Sequence, residues 1–445
     1  MRGIEAALAV WEEVRAGQFA GEAIRKIGDT MAPGDRILAS TLVYAALRRQ
    51  FLWKEIYGRF LRASPAGISQ LASDSMCIGT AGILELKKFA PRVLVNGLVD
   101  CLRKRGDKKG AALVNAVLRR VAEEGRLELR KIEESGSARD QALAAGIPQW
   151  VAACWRNTWG EDARALLKMP GIRPYSSFRV LPSEKIPEIL ERARLKGIRC
   201  WRSPFLPYSL RLSGTIFPRD FPGYAEGIST PQTESSMAVA EVLKGFWKGG
   251  RILEMCSGRG VKTGQIASII PGASLECFEV SPGRLAAARR EMERIGMGKK
   301  ALFRGGDALT LFPGSAPLLI SLDAPCSGSG TWTRHPEGKW KLTPERLASM
   351  AELQANLLKR AVSLLAPGGI VVYSTCSLMK DENEGVVARV LSGERGLVEL
   401  AVPSGSLPFR RGRPWGSYLW PQLPWMDGFY MAAIMKKSGG KTIDE

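Results

Sequence analysis

From about residue 221 onward, short apolar runs alternate with amphipathic helical stretches, and that alternation limits the fold more than any other feature of the chain. RILEM (251–255), SLECFEV (274–280), ALFRG, LLISLD (318–323) and GIVVYS (369–374) are apolar runs of strand length. Between them, KTGQIASII, PGRLAAARREMERIG and PERLASMAELQANLLKRAVSLL repeat apolar residues at three- and four-residue steps. The last of these starts at Thr343-Pro344 and stops at Pro367-Gly368-Gly369, a proline at the entry and glycines past the end. Strands alternating with helices build a mostly parallel sheet that binds ligands at the carboxyl ends of its strands. Residues 221–437 are therefore expected to be an α/β domain, with a flexible tail at 438–445.

The first 135 residues have a different period. GIEAALAVWEEVRA, DRILASTLVYAALRRQFLWKEIYGRFL, SDSMCIGTAGILELKKF, PRVLVNGLVDCLRKR and KKGAALVNAVLRRVAEE read as five helices of a small bundle, with short Gly- or Pro-marked connections. Asp35 is placed to cap the second and Pro91 to open the fourth. Arg103, Lys104, Arg105, Lys108, Lys109, Arg119 and Arg120 form a candidate basic face, with an ordinary solvated surface as the alternative. Residues 136–220 read as two short helices broken at Gly146-Ile147-Pro148, followed by a small α+β subdomain. Its parts are the runs SSFRVL, GIRCWRS and YSLRLSG around the helix KIPEILERARLKG.

The formal net charge is +20, and the excess is spread over both halves of the chain instead of sitting in a detachable tail. Such a balance favours a polyanion, because lysine and arginine release counterions from phosphate. A membrane surface would call for charge concentrated on one amphipathic helix, so nucleic acid is the better expectation. No apolar run approaches the roughly 18 residues of a membrane span. Glu5, Glu12 and Glu13 interrupt the apolar pattern at the start of the chain, which does not read as a signal peptide. None of the eight cysteines lies in a CxxC pair, so neither a disulfide framework nor a structural zinc site is expected. A cytoplasmic monomer is expected, with no membrane partner and no metal.

The loops after the strands carry the chemistry. Cys256-Ser257-Gly258-Arg259-Gly260-Val261-Lys262 follows the first strand; it is neither a Walker A loop nor a GxGxxG dinucleotide loop. Glu279 ends the second strand, where an acidic residue binds a ribose diol in nucleoside-binding sheets; a plain surface carboxylate is the alternative. With no sign of a pyrophosphate site, a nucleoside cofactor such as S-adenosylmethionine (SAM) is favoured. Asp323-Ala324-Pro325-Cys326-Ser327-Gly328-Ser329-Gly330 leaves the fourth strand and Ser374-Thr375-Cys376-Ser377 the fifth. Cys77, Cys101, Cys154, Cys200 and Cys277 read as buried hydrophobes, whereas Cys326 and Cys376 occupy polar loops on one sheet edge, where a thiolate is reactive.

A pyrimidine gives a thiol a reason to stand beside a methyl donor. Carbon 5 of cytosine is too electron-poor to attack a methyl group until a thiolate adds at carbon 6 and makes it enamine-like. DAPCSGSGTWTRHPEGKWK and YSTCSLMKDENEGVV resemble the RNA cytosine-C5 methyltransferases of the Fmu/Sun (NOL/NOP/Sun) family, and STPQTESSMAV and DGFYMAAIMKK (427–437) fit its pattern. GDRILASTLVYAALRR with ALVNAVLRR looks like a NusB-type RNA-binding domain, a combination similar to that family's small-subunit ribosomal RNA enzymes.

The resemblance implies an all-α NusB-like domain at 1–135, linker helices and the small α+β subdomain at 136–220, and a Rossmann-like SAM-dependent methyltransferase domain at 221–437. It implies that Cys376 is the nucleophile, that Cys326 assists release, and that Asp323 contacts the base near the cofactor. Cys256, Ser257, Gly258, Arg259, Gly260, Val261 and Lys262 would hold the methionine end of SAM, Glu279 the ribose and Asp307 the adenine. Arg334-His335-Pro336 would lie over the RNA. The family's usual first loop is C-A-A-P-G-G-K, so Arg259 and Val261 are departures, as are Glu254 and Glu279 in place of aspartates. The implied partner is small-subunit ribosomal RNA. A transfer RNA cytosine-C5 methyltransferase and a non-catalytic RNA-binding factor are the alternatives.

Overall fold

The computed structural model describes residues 2–28, 31–62, 67–86 and 90–438. They divide into two compact units: the chain through Ile172 together with Trp332–Lys341, and Arg173–Thr331 together with the chain from Leu342 onward. This division differs from the boundaries read at 135/136 and 220/221. The helices after residue 135 join the helical unit, and the small sheet joins the second. Of the tail read at 438–445, residues 439–445 lie outside the described residues.

The helical unit contains α1 (Arg2–Arg15), α2 (Ala20–Gly28), α3 (Pro33–Arg48), α4 (Gln50–Gly58), α5 (Gln70–Glu85), α6 (Pro91–Lys104), α7 (Lys108–Glu134), α8 (Ala138–Ala145), α9 (Gln149–Trp159) and α10 (Ala163–Lys168). Among the described residues, seven helices thus precede residue 135 where five are read from the sequence. Helix α2 is short and was absent from that reading. The long second stretch breaks at Arg49, whose guanidinium turns to the Ala144 carbonyl (2.8 Å) and Glu133 (2.7 Å). No glycine or proline marks that break, so periodicity runs straight through it. Asp35 is not a cap: Ala32 holds that position and Pro33 opens α3. Its Oδ1 instead accepts from the Gly3 amide at 2.8 Å, at the start of α1. Ser69, Asp107 and Ser137 do cap α5, α7 and α8 with side-chain oxygens. Arg103, Arg105 and Arg120 of the candidate basic face pair with Asp100, Glu12 and Glu124, so part of its charge is neutralised locally.

The segment Trp332–Lys341 belongs to this helical unit, although the sequence on either side of it does not. The Trp340 ring packs on Trp11 (centroids 4.9 Å) and Trp332 on Trp155 (5.6 Å). Glu337 accepts from the Ala20 amide (3.1 Å) at the N-terminus of α2, where a carboxylate is favoured by the exposed amides. Lys339 is fully buried and donates to the Arg48 carbonyl; burial, with Arg48 and Arg49 close by, lowers its pKa to about 7. His335 sets its ring edge-on to Phe19.

The second unit begins with a small antiparallel sheet: β1 (Ser177–Val180), β2 (Cys200–Arg202), β3 (Ser209–Leu212) and β4 (Ser229–Pro231), in the order β2-β3-β1-β4, with α11 (Ile186–Leu195) against it. Phe178 stacks on Phe221 (4.0 Å) inside its core. Strand β4, only three residues long, was not read from the sequence. Arg179 of β1 is buried, which lowers its pKa to about 10, and it donates to Gln232 Oε1 (2.7 Å) and the Val261 carbonyl (2.8 Å).

The large sheet follows: α12 (Glu234–Phe246), β5 (Arg251–Glu254), α13 (Val261–Ile269), β6 (Ser274–Glu279), α14 (Pro282–Arg294), β7 (Ala301–Gly305), β8 (Leu319–Asp323), α15 (Pro344–Leu364), β9 (Ile370–Thr375), α16 (Glu384–Gly393), β10 (Leu397–Leu400), β11 (Phe409–Arg411), β12 (Ser417–Leu419) and β13 (Phe429–Lys436). Strands β9-β8-β5-β6-β7 run parallel, as expected, and β13 adds antiparallel to β9, with β12-β11 and β10 beyond it. The β5 strand lies between β8 and β6, so the strand order reverses there and opens a crevice at the carboxyl edge. No helix among the described residues is long and apolar enough to cross a membrane.

Candidate active site

The residues singled out in the loops after β5, β6, β7, β8 and β9 fall on this carboxyl edge, whereas Arg334-His335-Pro336 falls in the helical unit. The loop after β5 turns through Gly258 (φ +59°) and Gly260 (φ +79°), left-handed values that suit glycine. Gly260 caps α13, and a Cβ there would press on the Ala288 backbone of α14. A Cβ on Gly258 would enter open space. Arg259 is an exposed residue of this loop. Behind the loop, Glu254 is fully buried and takes a hydrogen bond from Thr263; burial pushes its pKa up, against that bond. Burial, with Asp323 and other carboxylates nearby, likewise raises the Cys256 thiol to about 12, which keeps it protonated.

Glu279 ends β6 with both oxygens engaged: Oε2 accepts from the Gly258 amide (2.9 Å) and Oε1 from the Ser281 amide (2.8 Å). It therefore ties the first loop to the second. Val280, next in the chain, is 69% exposed and presents an apolar surface beside that carboxylate. Asp307 is exposed after β7, its Oδ1 accepting from the Leu309 amide (2.9 Å). The Ser257 hydroxyl is buried without a hydrogen-bond partner among the described residues. An orphaned hydroxyl, open space at Gly258 and Gly306, a carboxylate and an exposed valine fit a nucleoside with a polar amino-acid tail.

Two thiols lie farther along the same edge. Strands β8 and β9 are adjacent and parallel, with Asp323 opposite Ser374. Their loops bring Cys326 Sγ within 3.3 Å of Cys376 Sγ. The Cys326 thiol is held well up, first by its hydrogen bond to Cys376, then by burial and by the charges of Cys376 and Glu382. Either sulfur can donate in the hydrogen bond between them. Gly330 lets the loops cross, its amide donating to the Cys376 carbonyl (2.9 Å) and its carbonyl accepting from Gly428 (3.0 Å). A Cβ at Gly330 would collide with the Gly428 carbonyl.

Asp323 links the two halves of the site. Its Oδ2 accepts from Lys262 Nζ (2.6 Å) and its Oδ1 from Ser374 Oγ (3.1 Å). Burial works against the Lys262 charge, but Asp323 outweighs it, with Cys376 adding, so the pKa of Lys262 is raised. The ammonium also sits over the Phe429 ring (5.6 Å). Lys262, assigned in the sequence only to the first loop, thus joins Asp323.

Sequence reasoning missed Val280, Phe429, Gln354 and Glu382. Glu382 is fully buried behind the thiol loops, and its run Lys380-Asp381-Glu382-Asn383-Glu384 carried a usable signal: charged residues following directly on a loop at the reactive sheet edge.

A model of the 16S rRNA methyltransferase RsmB/F family matches residues 245–435, and a NusB family model matches residues 5–123. The ribosomal RNA small subunit methyltransferase B of Thermus thermophilus is 30% identical over 402 residues, covering 90% of this chain and 89% of that protein. Among solved structures, PH0851 is similar over 97% of this chain and 98% of its own, with a TM-score of 0.81 at 22% identity. NSun6 from Pyrococcus horikoshii, solved with SFG, is similar over 65% of this chain and 98% of its own, with a TM-score of 0.56 at 19% identity.

Proposed function

The chain belongs to the 16S rRNA methyltransferase RsmB/F family, and we propose that it methylates carbon 5 of a cytosine in small-subunit ribosomal RNA through a transient covalent bond to carbon 6. The observation that carries this reading is the pair of thiols 3.3 Å apart beside the Lys262–Asp323 ion pair. Carbon 5 methylation needs a nucleophile and a second group to complete release, and one thiol of the pair is kept protonated.

SAM is the methyl donor, supplying an electrophilic methyl group to carbon 5. The residues from Cys256 to Lys262 hold its methionine end, Glu279 takes the ribose hydroxyls, and Asp307 with Val280 flanks the adenine. Cys376 adds as thiolate to carbon 6, and the electron pair displaced from the ring double bond makes carbon 5 nucleophilic. After methylation the carbon 5 proton passes to solvent water, its C–H electron pair re-forms the ring double bond, and the carbon 6–sulfur bond breaks with its electrons returning to Cys376 as thiolate. Cys326 assists that release. Asp323, steadied by Lys262 and Ser374, holds the base edge with its remaining lone pairs. The target base must leave any stack to reach this edge.

Glu279→Ala is expected to weaken SAM binding about 10- to 100-fold by calorimetry, since a charged hydrogen bond is worth about 1.5–3 kcal/mol. Unchanged affinity would remove Glu279 from the cofactor site. The function itself is tested by transfer of labelled methyl from SAM to small-subunit ribosomal RNA lacking 5-methylcytosine, with transfer RNA in parallel. Label at a single cytosine of the ribosomal RNA is expected. Label in transfer RNA alone would keep the chemistry and overturn the substrate, and bound but unlabelled RNA would overturn the enzymatic reading.

A further inference from the structure

We propose that Glu382 is a positioning residue that sets the separation of the Cys326 and Cys376 thiols. The two thiol loops leave neighbouring parallel strands and are joined by backbone bonds from Ala324 N to Ser374 O and Gly330 N to Cys376 O, and by bonds of Ser377 Oγ with Ser327 Oγ (3.2 Å) and Ser329 Oγ (3.1 Å) and of the Leu378 amide to Ser329 Oγ (2.8 Å). Between those bonds the loops are gathered on one carboxylate. Glu382 Oε1 accepts from the Ser327 amide (2.7 Å) and from Gln354 Nε2 (2.9 Å). Its Oε2 accepts from the hydroxyls of Ser327 and Ser377, the residues directly following the two cysteines. Gln354 Nε2 also donates to the Pro325 carbonyl (2.8 Å), just before Cys326.

Each oxygen thus collects two donors. A carboxylate is suited to this because it accepts only and has about four lone-pair sites. A buried charge of this kind is costly without partners, so the side chain and both loops hold one arrangement together. Tyr373 fixes the other end of the device: its hydroxyl donates to the Glu382 carbonyl (2.6 Å). Glu382 reaches neither thiol by hydrogen bond in this arrangement; it acts through Ser327 and Ser377.

The kinetic consequence rests on the methyl-transfer reading, whereas the geometry does not, and the experiment separates them. Glu382→Gln keeps the side-chain volume while turning one acceptor into a donor. In the full-length protein, kcat is expected to fall about 100-fold, the scale of a misplacement near 1 Å, with KM for RNA and SAM affinity within about twofold of the parent. Closure of the Cys326–Cys376 disulfide by the thiol oxidant diamide, followed by mass spectrometry, is expected to slow by about tenfold or more for the same geometric reason. This second readout needs no methyltransferase activity. An inactive parent protein whose diamide closure still slows on substitution would sink the functional reading and keep the positioning role. Unchanged kcat and closure rate would overturn the proposal, as would a loss of kcat matched by equal losses in SAM affinity. Should Glu382→Gln fail to fold, Ser327→Ala removes one donor and keeps the carboxylate, and it is judged by the same two readouts.

Discussion

Cys376→Ala is expected to abolish methyl transfer, by at least about 10⁴-fold in kcat, while RNA and SAM binding stay near parental values. Alanine cannot add to carbon 6, so carbon 5 is left without the electron density that makes it attack. A factor of about 10⁴ corresponds to about 5–6 kcal/mol of barrier, the scale seen when a covalent nucleophile is deleted. The substitution touches little else: the loop is held by the Cys376 carbonyl and by Ser377, both of which survive. Filter binding of RNA and calorimetry with SAM provide the two controls. Turnover equal to the parent in Cys376→Ala would transfer the nucleophile's role elsewhere, with Cys326 the first place to look at 3.3 Å.

Cys326→Ala should do the opposite to the covalent bond. With Cys376 intact, addition and methylation proceed, but release loses the thiol beside it. The protein is expected to accumulate a covalent RNA adduct, visible as a slow band on a denaturing gel and approaching one per protein molecule. Steady-state turnover should fall by about 10²–10⁴-fold, the contribution of one acid–base group, while a single turnover still labels the RNA. The band should vanish in Cys326→Ala/Cys376→Ala. Without any adduct in the single variant, the release role of Cys326 is lost.

Much of this site was legible because a parallel sheet converts chain order into position. Once LLISLD and GIVVYS were recognised as strands, Cys326 and Cys376 had to emerge at one edge, as did Glu279 and Asp323. Their partnership was less accessible. That Lys262 reaches Asp323, or that Glu382 gathers Ser327 and Ser377, depends on loop paths shaped by Gly330 and Gly428, and spacing along the chain does not encode those paths. The helical half was misread where its signals are tertiary: the break at Arg49 follows from a guanidinium bonding to Ala144, and Asp35 serves α1 instead of capping α3. The small strands β4 and β10–β12 have three or four residues each, too few for an alternating pattern to stand out.

The return of Trp332–Lys341 to the helical unit bears on the order in which the molecule can be finished during synthesis. The first 172 residues leave the ribosome with the partners of Trp340 and Lys339, and the N-terminus of α2, still lacking their counterparts. Those counterparts are made only after more than half of the second unit's parallel strands have appeared. The helical unit thus begins before the second unit in translation yet is completed only after β8 of the second unit has been made.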